Sequence, residues 1–569
     1  MEETTLAAAF RRTARDHPDR VAVRTKDDEI SLTWSALRDR VDALAGGLAR
    51  LGVRRGDRVA LMLANRPEFH VADLAVMTLG ATPFSIYLTS SREQVDYVLG
   101  DAGARVALTE ELFAPLLSGL EHVLVLEQGW PEDPGFDAEP HWRAVQPEDE
   151  VTLIYTSGTT GPPKGVQLVH RNVIAATGSV DSLIRFPEGS RVISWLPSAH
   201  IAERMAHHYL PIVYAMTITC CPNPREVAAY LPAVRPTWFF AVPRIWEKLR
   251  AGMEGYLSQG ENGARNREWL AAAARKVEYE QAGERVPADL AATVAEADRE
   301  LFAGVRAMLG LDEAAAVNAG AAPTPREVLV FFHAIGIPLA ELWGMSETCG
   351  AGCCNPPDRV RIGTVGPATP GVELKLGDDG ELLMRSQVVM TGYRNAPDKT
   401  AEALDGDGWL HTGDIAQIDD DGYVRIVDRK KEIIINAAGK NMSPANIEST
   451  LKGASALIGQ ACVIGDRRPY NSALIVLDAD FAPAWAAQNG VEATELAALA
   501  RDGRVRAAVQ HGVDKANDRL ARVERVRRFT LIEGDWAPGG DELTPTLKLK
   551  RRPIAQKYEA AIDAMYEPS

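Results

Sequence analysis

The segment Tyr155-Thr-Ser-Gly-Thr-Thr-Gly-Pro-Pro-Lys-Gly165 is rich in glycine and hydroxyl side chains and ends with a lysine and a further glycine. Apolar runs at 151–154 and 166–169 predict a buried strand on each side of it. Glycines let backbone N–H groups approach oxygen atoms closely, hydroxyls donate further hydrogen bonds, and Lys164 adds charge. The segment is therefore predicted to be a loop that binds a polyphosphate. A solvated turn of small polar residues is the alternative.

This loop is not of the Walker A type, because Lys164 follows Pro163 and no Ser or Thr comes after it. Its residue order resembles the phosphate loop of the adenylate-forming superfamily, which includes acyl-CoA synthetases, luciferases and the adenylation domains of peptide synthetases. The resemblance implies that the loop holds the phosphates of ATP. The implied ATP-binding residues in it are Thr156, Ser157, Gly158, Thr159, Thr160 and Lys164.

Length and charge limit the class of protein. A chain of 569 residues predicts two or three domains. The net charge of −16 argues against a nucleic-acid partner. The acidic start does not resemble a secretory signal, and the uncharged apolar run at 209–221 is too short to span a bilayer. We expect a cytoplasmic protein. Peripheral membrane contact stays open, as does the choice between a monomer and a homodimer.

Six cysteines occur in the chain, and none forms a Cys-x-x-Cys pair. So few cysteines in so long a chain do not form a disulfide scaffold. Cys349, Cys353 and Cys354 lie close together in sequence, so metal ligation by them is the alternative interpretation. Small buried side chains in a reducing compartment are the favoured interpretation.

Alternating strand and helix patterns predict an α/β multidomain protein whose N-terminal domain has layered, mostly parallel sheets covered on both faces. A helix is predicted from Ser31 to Leu51. The Ala-, Glu- and Arg-rich stretch at about 245–310 predicts a helical insertion, and short strands with Gly-Asp turns at about 360–427 predict a small β subdomain. We place the domains at 1–427 and 428–569, the second being a smaller mobile α+β domain with its hinge at 428–431.

Two segments are candidates for the adenine site. Gly320, Ala321 and Ala322 have almost no side chain, so a flat ring can lie against their backbone, although a tight core turn is the alternative. Leu342-Trp-Gly-Met-Ser-Glu-Thr348 combines an aromatic ring with a hydroxyl and a carboxylate. The resemblance implies that residues 320–322 border adenine. Trp343 and Gly344 are further candidates for nucleotide binding, because the ring can stack on a purine, and many relatives carry Tyr where Trp343 stands.

Glu347 is the predicted ligand of Mg²⁺, which prefers one or two carboxylates together with phosphate oxygens. Ser346 is predicted to hydrogen-bond the α-phosphate or the acyl carboxylate, and many relatives carry Thr at this position. The resemblance also places His200 beside the acyl carboxylate. A structural histidine is the alternative for His200.

The region around the predicted domain boundary supplies further candidates. Asp414 is expected to accept hydrogen bonds from the ribose diol, and Arg429 to bind ribose or α-phosphate oxygens. The resemblance assigns Lys431 to the hinge. It also implies that Gly439 enters the site after the small domain turns, leaving room for the pantetheine arm of CoA.

The chain ends in a basic segment, Leu543-Thr-Pro-Thr-Leu-Lys-Leu-Lys-Arg-Arg552. The superfamily has a catalytic lysine in a similar segment, preceded by a Gly where this chain has Leu547. Alignment by the trailing arginines selects Lys548, while Lys550 is the alternative.

Together the resemblance implies an AMP-forming acid–thiol ligase that uses ATP, Mg²⁺ and CoA. The segment 241–250 and the residues before His200 resemble long-chain fatty acyl-CoA synthetases, so a medium- or long-chain fatty acid is expected. The alternatives are a ligase for an aryl or short-chain acid, an enzyme that loads a carrier protein, a binding protein that has lost catalysis, and a scaffold or transcription protein.

Overall fold

The computed structural model describes residues 3–156, 162–435, 441–545 and 547–567. The large N-terminal part consists of sheets and helices in layers. Its strands are β1 (Val21–Thr25), β2 (Ser31–Thr33), β3 (Arg58–Met62), β4 (Thr82–Ser85), β5 (Val106–Thr109), β6 (His122–Val125), β7 (Glu150–Thr156), β8 (Lys164–Val169), β9 (Arg191–Ser194), β10 (Thr217–Cys220), β11 (Trp238–Ala241), β12 (Ala316–Ala319), β13 (Leu339–Trp343) and β14 (Cys353–Cys354). Its helices are α1 (Leu6–Asp16), α2 (Trp34–Arg50), α3 (Pro67–Thr78), α4 (Arg92–Ala102), α5 (Glu139–Ala144), α6 (His170–Ile184), α7 (Ile201–Arg204), α8 (Leu210–Tyr214), α9 (Val227–Val234), α10 (Pro243–Leu257), α11 (Gly263–Gln281), α12 (Ala288–Ala297), α13 (Ala303–Leu309) and α14 (Arg326–Ala334).

Parallel pairing dominates the first layers, but the strands form several sheets rather than one. The sheet β4-β3-β5-β6 is entirely parallel. In β2-β1-β10-β9 and in β11-β12-β13-β14, one antiparallel edge strand completes a parallel set. Helix α3 is buried along its whole length because it contacts strands of the first two sheets. The expectation of covered parallel strands is confirmed. Helices α10–α13 occupy residues 243–309, where the sequence predicts a helical insertion.

The predicted helix at 31–51 begins three residues later than expected. Ser31–Thr33 pairs antiparallel with β1, so these residues are strand β2. The Thr33 hydroxyl then accepts a hydrogen bond from the Ala36 N–H at 3.2 Å and caps helix α2. The prediction of helix from Ser31 was wrong because a Ser/Thr start pattern does not reveal which hydroxyl is the cap.

Short strands lie between Val372 and Arg429, where the sequence predicts a small β subdomain. They are β15 (Val372–Leu376), β16 (Glu381–Ser386), β17 (Gly392–Tyr393), β18 (Leu410–Ile418) and β19 (Val424–Arg429), with helix α15 (Pro397–Ala403) between β17 and β18. Strands β15-β16-β18-β19 form one sheet, whereas β17 joins β8 and β7. Strands β7 and β8 pair antiparallel up to Thr156 and Lys164, and β17 lies beside β8.

The C-terminal part has its own hydrophobic core. Its strands are β20 (Ile434–Ile435), β21 (Asn441–Met442), β22 (Ile458–Ile464), β23 (Asn471–Leu477) and β24 (Val526–Leu531), and its helices are α16 (Pro444–Ala454), α17 (Phe481–Gln488), α18 (Leu496–Arg501), α19 (Gly503–Arg519), α20 (Arg551–Lys557) and α21 (Glu559–Ala564). Alternate residues of β23 enter separate clusters, Ala473 and Ile475 on one face and Leu474 and Val476 on the other. The sheet β22-β23-β24 is therefore covered on both faces. Among the described residues, no helix combines the length and apolarity needed to cross a membrane.

Candidate functional site

A cavity of about 1410 Å³ lies where the N-terminal layers, the β subdomain and the C-terminal part meet. This volume exceeds that of a typical pocket for one small ligand. The predicted residues that line it are Thr156, Lys164, His200, Ala321, Ala322, Trp343, Gly344, Ser346, Glu347, Asp414, Arg429, Lys431 and Lys548. Predicted residues outside the described part of the chain are Ser157, Gly158, Thr159, Thr160 and Gly439.

Gly320 and Ala321, which follow β12, lie in different surroundings. Gly320 is buried behind the cavity wall, where a Cβ atom would lie 2.9 Å from a Phe240 ring carbon and 3.0 Å from Leu342. A side chain at this position would therefore require Phe240 or Leu342 to move. Ala321 lines the cavity in the left-handed region, with φ of +69°. A non-glycine residue in this region is strained, and such strain is concentrated at functional sites.

Asp414 is the centre of a hydrogen-bonded group at the floor of the cavity. The indole Nε1–H of Trp343 donates to Asp414 Oδ2 at 2.8 Å, and the guanidinium of Arg429 pairs with Oδ1 at 2.8 Å. Strands β18 and β19 place Asp414 directly opposite Arg429. The charge of Asp414 is the main cause that raises the pKa of Arg429. The ring, carboxylate and guanidinium are thus held in one arrangement by each other.

Glu347 lies on the cavity wall close enough to Lys164 for their charges to interact. Its Oε1 accepts a hydrogen bond from the Tyr393 hydroxyl at 2.7 Å. The ammonium group of Lys164 lies over the Tyr393 ring, 4.1 Å from its centroid. Burial lowers the pKa of Lys164, and the nearby Glu347 carboxylate opposes that shift. A carboxylate on the cavity wall beside the loop lysine fits the ligand preference of Mg²⁺, which takes its remaining ligands from phosphate and water.

The backbone before Lys548 distinguishes the two candidate lysines, Lys548 and Lys550. Leu547 has φ of +64°, which is a left-handed conformation that glycine adopts more easily. This is the position where the superfamily has Gly, so the register that selects Lys548 fits the backbone. The Lys550 ammonium group instead donates to the Gly540 carbonyl at 2.8 Å, away from this cavity.

Lys548 projects into the cavity among charged groups of the N-terminal part. It is accessible to water there, yet atoms of both parts of the chain surround it. Removal from bulk water lowers the pKa of Lys548, and the positive charge of Arg429 lowers it further, whereas Asp414 and Glu347 raise it. A cationic side chain of the C-terminal part therefore lies in the same cavity as charged groups of the N-terminal part.

His200 lies on the wall of the same cavity, at the N-cap of α7. Its Nδ1 accepts a hydrogen bond from the Ala202 N–H at 3.1 Å. Burial lowers the pKa of His200 to about 3, with a smaller contribution from the charge of Lys548. The ring is therefore neutral at physiological pH, and Nε2 carries its proton.

Ion pairs join the two parts of the chain beside the cavity. We name Arg244, Glu247, Lys452 and Asp478 the interdomain cluster. Arg244 pairs with Glu247 at 3.0 Å and also with Asp478, and Lys452 lies 3.8 Å from Glu247. Their side chains are only 7–19% exposed, Asp478 least and Arg244 most. Beyond the cluster, ion pairs also join Lys248 to Asp480 and Arg519 to Glu327.

Asp428 connects the predicted hinge to the C-terminal part. Its Oδ2 accepts hydrogen bonds from the Ser443 hydroxyl at 2.6 Å and the Ala445 N–H at 3.1 Å, at the start of α16. Burial raises the pKa of Asp428 despite these bonds. Lys431, three residues later, is exposed and lines the cavity.

All six cysteines are free and buried. Burial raises the pKa of Cys354 to about 12, so its thiol is protonated at physiological pH. Among the described residues there is no group of three or more His, Cys, Asp or Glu side chains suited to a metal ion.

The comparisons with known proteins agree with this geometry. Residues 10–394 match the family described as AMP-binding enzyme, and residues 431–569 match the AMP-binding enzyme C-terminal domain. The chain belongs to the AMP-binding enzyme family. This confirms the resemblance seen in the sequence. The exact boundary at 427/428 stays a prediction.

Two relatives of this AMP-binding enzyme carry fatty-acid ligase names. It is 51% identical over 436 residues to the putative fatty-acid–CoA ligase fadD11 of Mycobacterium tuberculosis, covering 76% of each chain. It is 35% identical over 596 residues to the long-chain-fatty-acid–CoA ligase FadD15 of Mycobacterium bovis, covering 99% of this chain and 97% of that one.

Solved structures confirm the fold class of this AMP-binding enzyme. The anthranilate CoA ligase AuaEII in complex with anthranoyl-AMP has a TM-score of 0.73 at 19% identity and covers 98% of both chains. The o-succinylbenzoate CoA synthetase of Bacillus subtilis with ATP and magnesium has a TM-score of 0.67 at 21% identity, over 96% of this chain and 98% of that one.

Sequence reasoning missed two residues in the site of this AMP-binding enzyme. Tyr393 reaches Glu347 only because β17 pairs with β8, which no local pattern reveals. Glu341, at the cavity wall, accepts a hydrogen bond from the Thr324 N–H at 2.9 Å, and burial raises its pKa to about 7. An acidic residue in the buried strand β13 was the available signal for Glu341.

Proposed function

We propose that this enzyme activates a fatty acid with ATP and transfers the acyl group to CoA. In the first step a carboxylate oxygen attacks the α-phosphorus of ATP, the bond to pyrophosphate breaks, and acyl-AMP forms. In the second step the thiol of CoA attacks the acyl carbonyl carbon, AMP leaves, and the thiol proton is released. The observation that carries the proposal is the entry of Lys548 into the cavity that contains Asp414, Glu347 and Trp343.

The charged side chains suit the first step. Lys548 would lie between the acid's carboxylate and the α-phosphate and stabilise negative charge on both. Asp414 would accept hydrogen bonds from the ribose, and the indole of Trp343 would face adenine. Lys164 and the loop at 156–164 would bind the β- and γ-phosphates. Glu347 would hold Mg²⁺, which neutralises phosphate charge when it is bound.

The hydroxyl of Ser346 and the neutral ring of His200 would orient the acid. A neutral imidazole can donate one hydrogen bond from Nε2 to a carboxylate without adding charge. Arg429 is held by Asp414 and would contact ribose or α-phosphate oxygens.

The second step requires a different arrangement of the C-terminal part. Lys548 occupies the space between the parts of the chain, so we propose that it leaves after acyl-AMP forms. A turn at 428–431 around Lys431 would remove it and bring Gly439 to the site, where the pantetheine arm needs space. Domains 1–427 and 428–569 would then be the moving bodies.

Apolar side chains on the cavity wall support a fatty acid as the substrate. Among the lining residues are Val180, Ile184, Met205 and Trp238. Such side chains favour a hydrocarbon chain over a polar acid. The fatty-acid names of the two relatives point to the same substrate class. An aryl or short-chain acid, or a carrier protein as the acceptor, would be the alternative.

A panel of free acids tests the proposal directly. Each acid is supplied with ATP, Mg²⁺ and CoA or a carrier protein, and pyrophosphate and thioester are measured separately. We expect both products with medium- or long-chain acids and CoA. Pyrophosphate release only with aryl or short acids, or thioester only on the carrier protein, would contradict it.

We further propose that the enzyme is cytoplasmic. Its proposed substrates ATP and CoA and its buried free thiols suit a reducing compartment. Cell fractionation tests this location and peripheral membrane contact. Light scattering at working concentration distinguishes a monomer from a homodimer.

A further inference from the structure

Glu203 is a buried carboxylate that takes no direct part in the proposed chemistry. It is 1% exposed, in helix α7 beneath the cavity wall. Its Oε1 accepts hydrogen bonds from the Ser194 hydroxyl at 2.6 Å and from Asn65 Nδ2 at 3.0 Å. Its Oε2 accepts one from the Leu196 N–H at 2.9 Å and lies 2.6 Å from His207 Nδ1. With the Trp195 N–H at 3.4 Å from Oε2, five polar groups converge on this side chain, from β9, from the turn after α7 and from two loops.

The same donors hold the loop that ends at His200. Asn65 Nδ2 also donates to the Leu196 carbonyl at 2.8 Å, so both backbone polar groups of Leu196 are fixed. Pro197 follows and restricts the next φ angle. The His200 N–H donates to the Pro197 carbonyl at 2.9 Å, and the Glu203 N–H donates to the His200 carbonyl at 3.1 Å. The loop is therefore attached to Glu203 at both of its ends.

We propose that Glu203 is a positioning residue: its carboxylate fixes the 196–200 loop and so sets where the His200 ring meets the acid's carboxylate. The inference rests on the proposed function. The π-helical turn Met205–Tyr209 after α7 supports it, because such turns are frequent at functional sites. Met205 and Ala206 in this turn line the cavity next to His200.

Only a carboxylate can satisfy this set of donors. A glutamine has one acceptor oxygen and an NH₂ group, which would face donors such as the Leu196 N–H or the Ser194 hydroxyl. At least one buried donor would then lose its partner, and the loop would shift to recover one. A shift of about 1 Å in a positioning group can reduce turnover about 100-fold.

The test compares Glu203→Gln, His200→Ala and the double variant in acid-dependent pyrophosphate release. For Glu203→Gln we expect kcat/KM for the acid to fall about 10- to 100-fold while KM for ATP changes less than about twofold. If Glu203 acts through His200, the double variant is no worse than His200→Ala alone. Additive losses, equal changes for acid and ATP, or no effect of His200→Ala on the acid would overturn the proposal.

Two further variants separate positioning from folding. Asn65→Ala removes one donor from Glu203 and from the Leu196 carbonyl, and we expect the same acid-selective loss at about 3- to 10-fold. Asp73→Asn is the matched control, because Asp73 is equally buried and pairs with Arg204 and His208 but makes no bond to the loop. We expect it to lower the melting temperature without coupling to His200. Coupling of Asp73→Asn as strong as that of Glu203→Gln would contradict the inference.

A failure of the proposed function looks different. If the wild-type enzyme releases no pyrophosphate with any fatty acid, the substrate assignment is wrong. The Glu203 comparison would then be repeated with whichever acid the enzyme accepts, because the loop geometry concerns any carboxylate at His200.

Discussion

Arg244→Gln breaks the interdomain cluster without changing the walls of the cavity. Arg244 bridges Glu247 of its own helix and Asp478 of the C-terminal part. Exposed ion pairs are worth about 0.2–1 kcal/mol, whereas breaking a buried pair costs about 3–5 kcal/mol. With Arg244 at 19% exposure and Asp478 at 7%, we place the cost at about 2 kcal/mol between these limits.

The loss of the Arg244 ion pairs would destabilise only the arrangement in which Lys548 occupies the cavity. A change of about 2 kcal/mol shifts a two-state equilibrium by about 30-fold. We therefore expect acyl-AMP formation by Arg244→Gln to slow by up to about 30-fold. Thioester formation from supplied acyl-AMP and CoA should be unchanged or faster, because it requires the cluster to separate.

The assay measures pyrophosphate release and consumption of supplied acyl-AMP on the same preparations. Asp478→Asn is the partner variant, since it keeps Oδ1 as the acceptor for the Asp480 and Phe481 N–H groups. The double variant should lose no more than either single variant. Arg143→Gln is the control, because Arg143 forms an exposed pair with Glu139 within the N-terminal part. Equal slowing of both half-reactions by Arg244→Gln would refute the reasoning.

Three other outcomes are expected. Lys548→Ala abolishes acyl-AMP formation yet still consumes supplied acyl-AMP with CoA, whereas Lys550→Ala retains both half-reactions; loss of the first step in Lys550→Ala alone would reverse the assignment. Gly439→Leu shows the opposite split from Lys548→Ala, with acyl-AMP formed and thioester lost, and loss of the same half-reaction in both would contradict the proposed turn. Burial lowers the pKa of His170 to about 4 from an ordinary value near 6.5. Protonation of His170 therefore favours the unfolded state. The free energy of unfolding should fall by up to about 3 kcal/mol as the pH drops from 6.5 to 4. His170→Asn keeps an acceptor for the Leu6 N–H that now donates to Nδ1 at 3.1 Å, and urea unfolding at pH 7 and pH 5 should show a weaker pH dependence than the wild type; an unchanged dependence would exclude His170 as its source.

Local patterns predicted much of the fold because the hydrophobicity of residues and the spacing of apolar residues can be read from a short stretch of sequence. The hairpin around the glycine-rich loop and the helical stretch at 245–310 follow directly from residue type. The pattern at Ser31–Thr33 failed since pairing with β1 outweighs a weak helix-start signal. The division into several sheets was not predictable, because it depends on which distant strands become neighbours.

The candidate site shows the same limit. Asp414, Glu347 and Lys548 could be named because their motifs are distinctive, and the structure places all three on one cavity. Their roles stay predictions. Glu203 and Tyr393 could not be named, because their importance arises from contacts with residues far away in sequence. The choice of Lys548 over Lys550 needed a backbone angle, that of Leu547.

The separate hydrophobic core of the C-terminal part affects the free energy that is needed to move this part relative to the N-terminal part. Every member of its two hydrophobic clusters lies between Ile434 and Tyr566, and none is shared with the N-terminal core. Turning this part would therefore leave both hydrophobic cores intact. The ion pairs Arg244–Asp478, Lys248–Asp480 and Arg519–Glu327 would break, and water can replace such contacts group by group. Salt should therefore destabilise the arrangement in which Lys548 occupies the cavity far more than it destabilises the fold of the N-terminal or the C-terminal part.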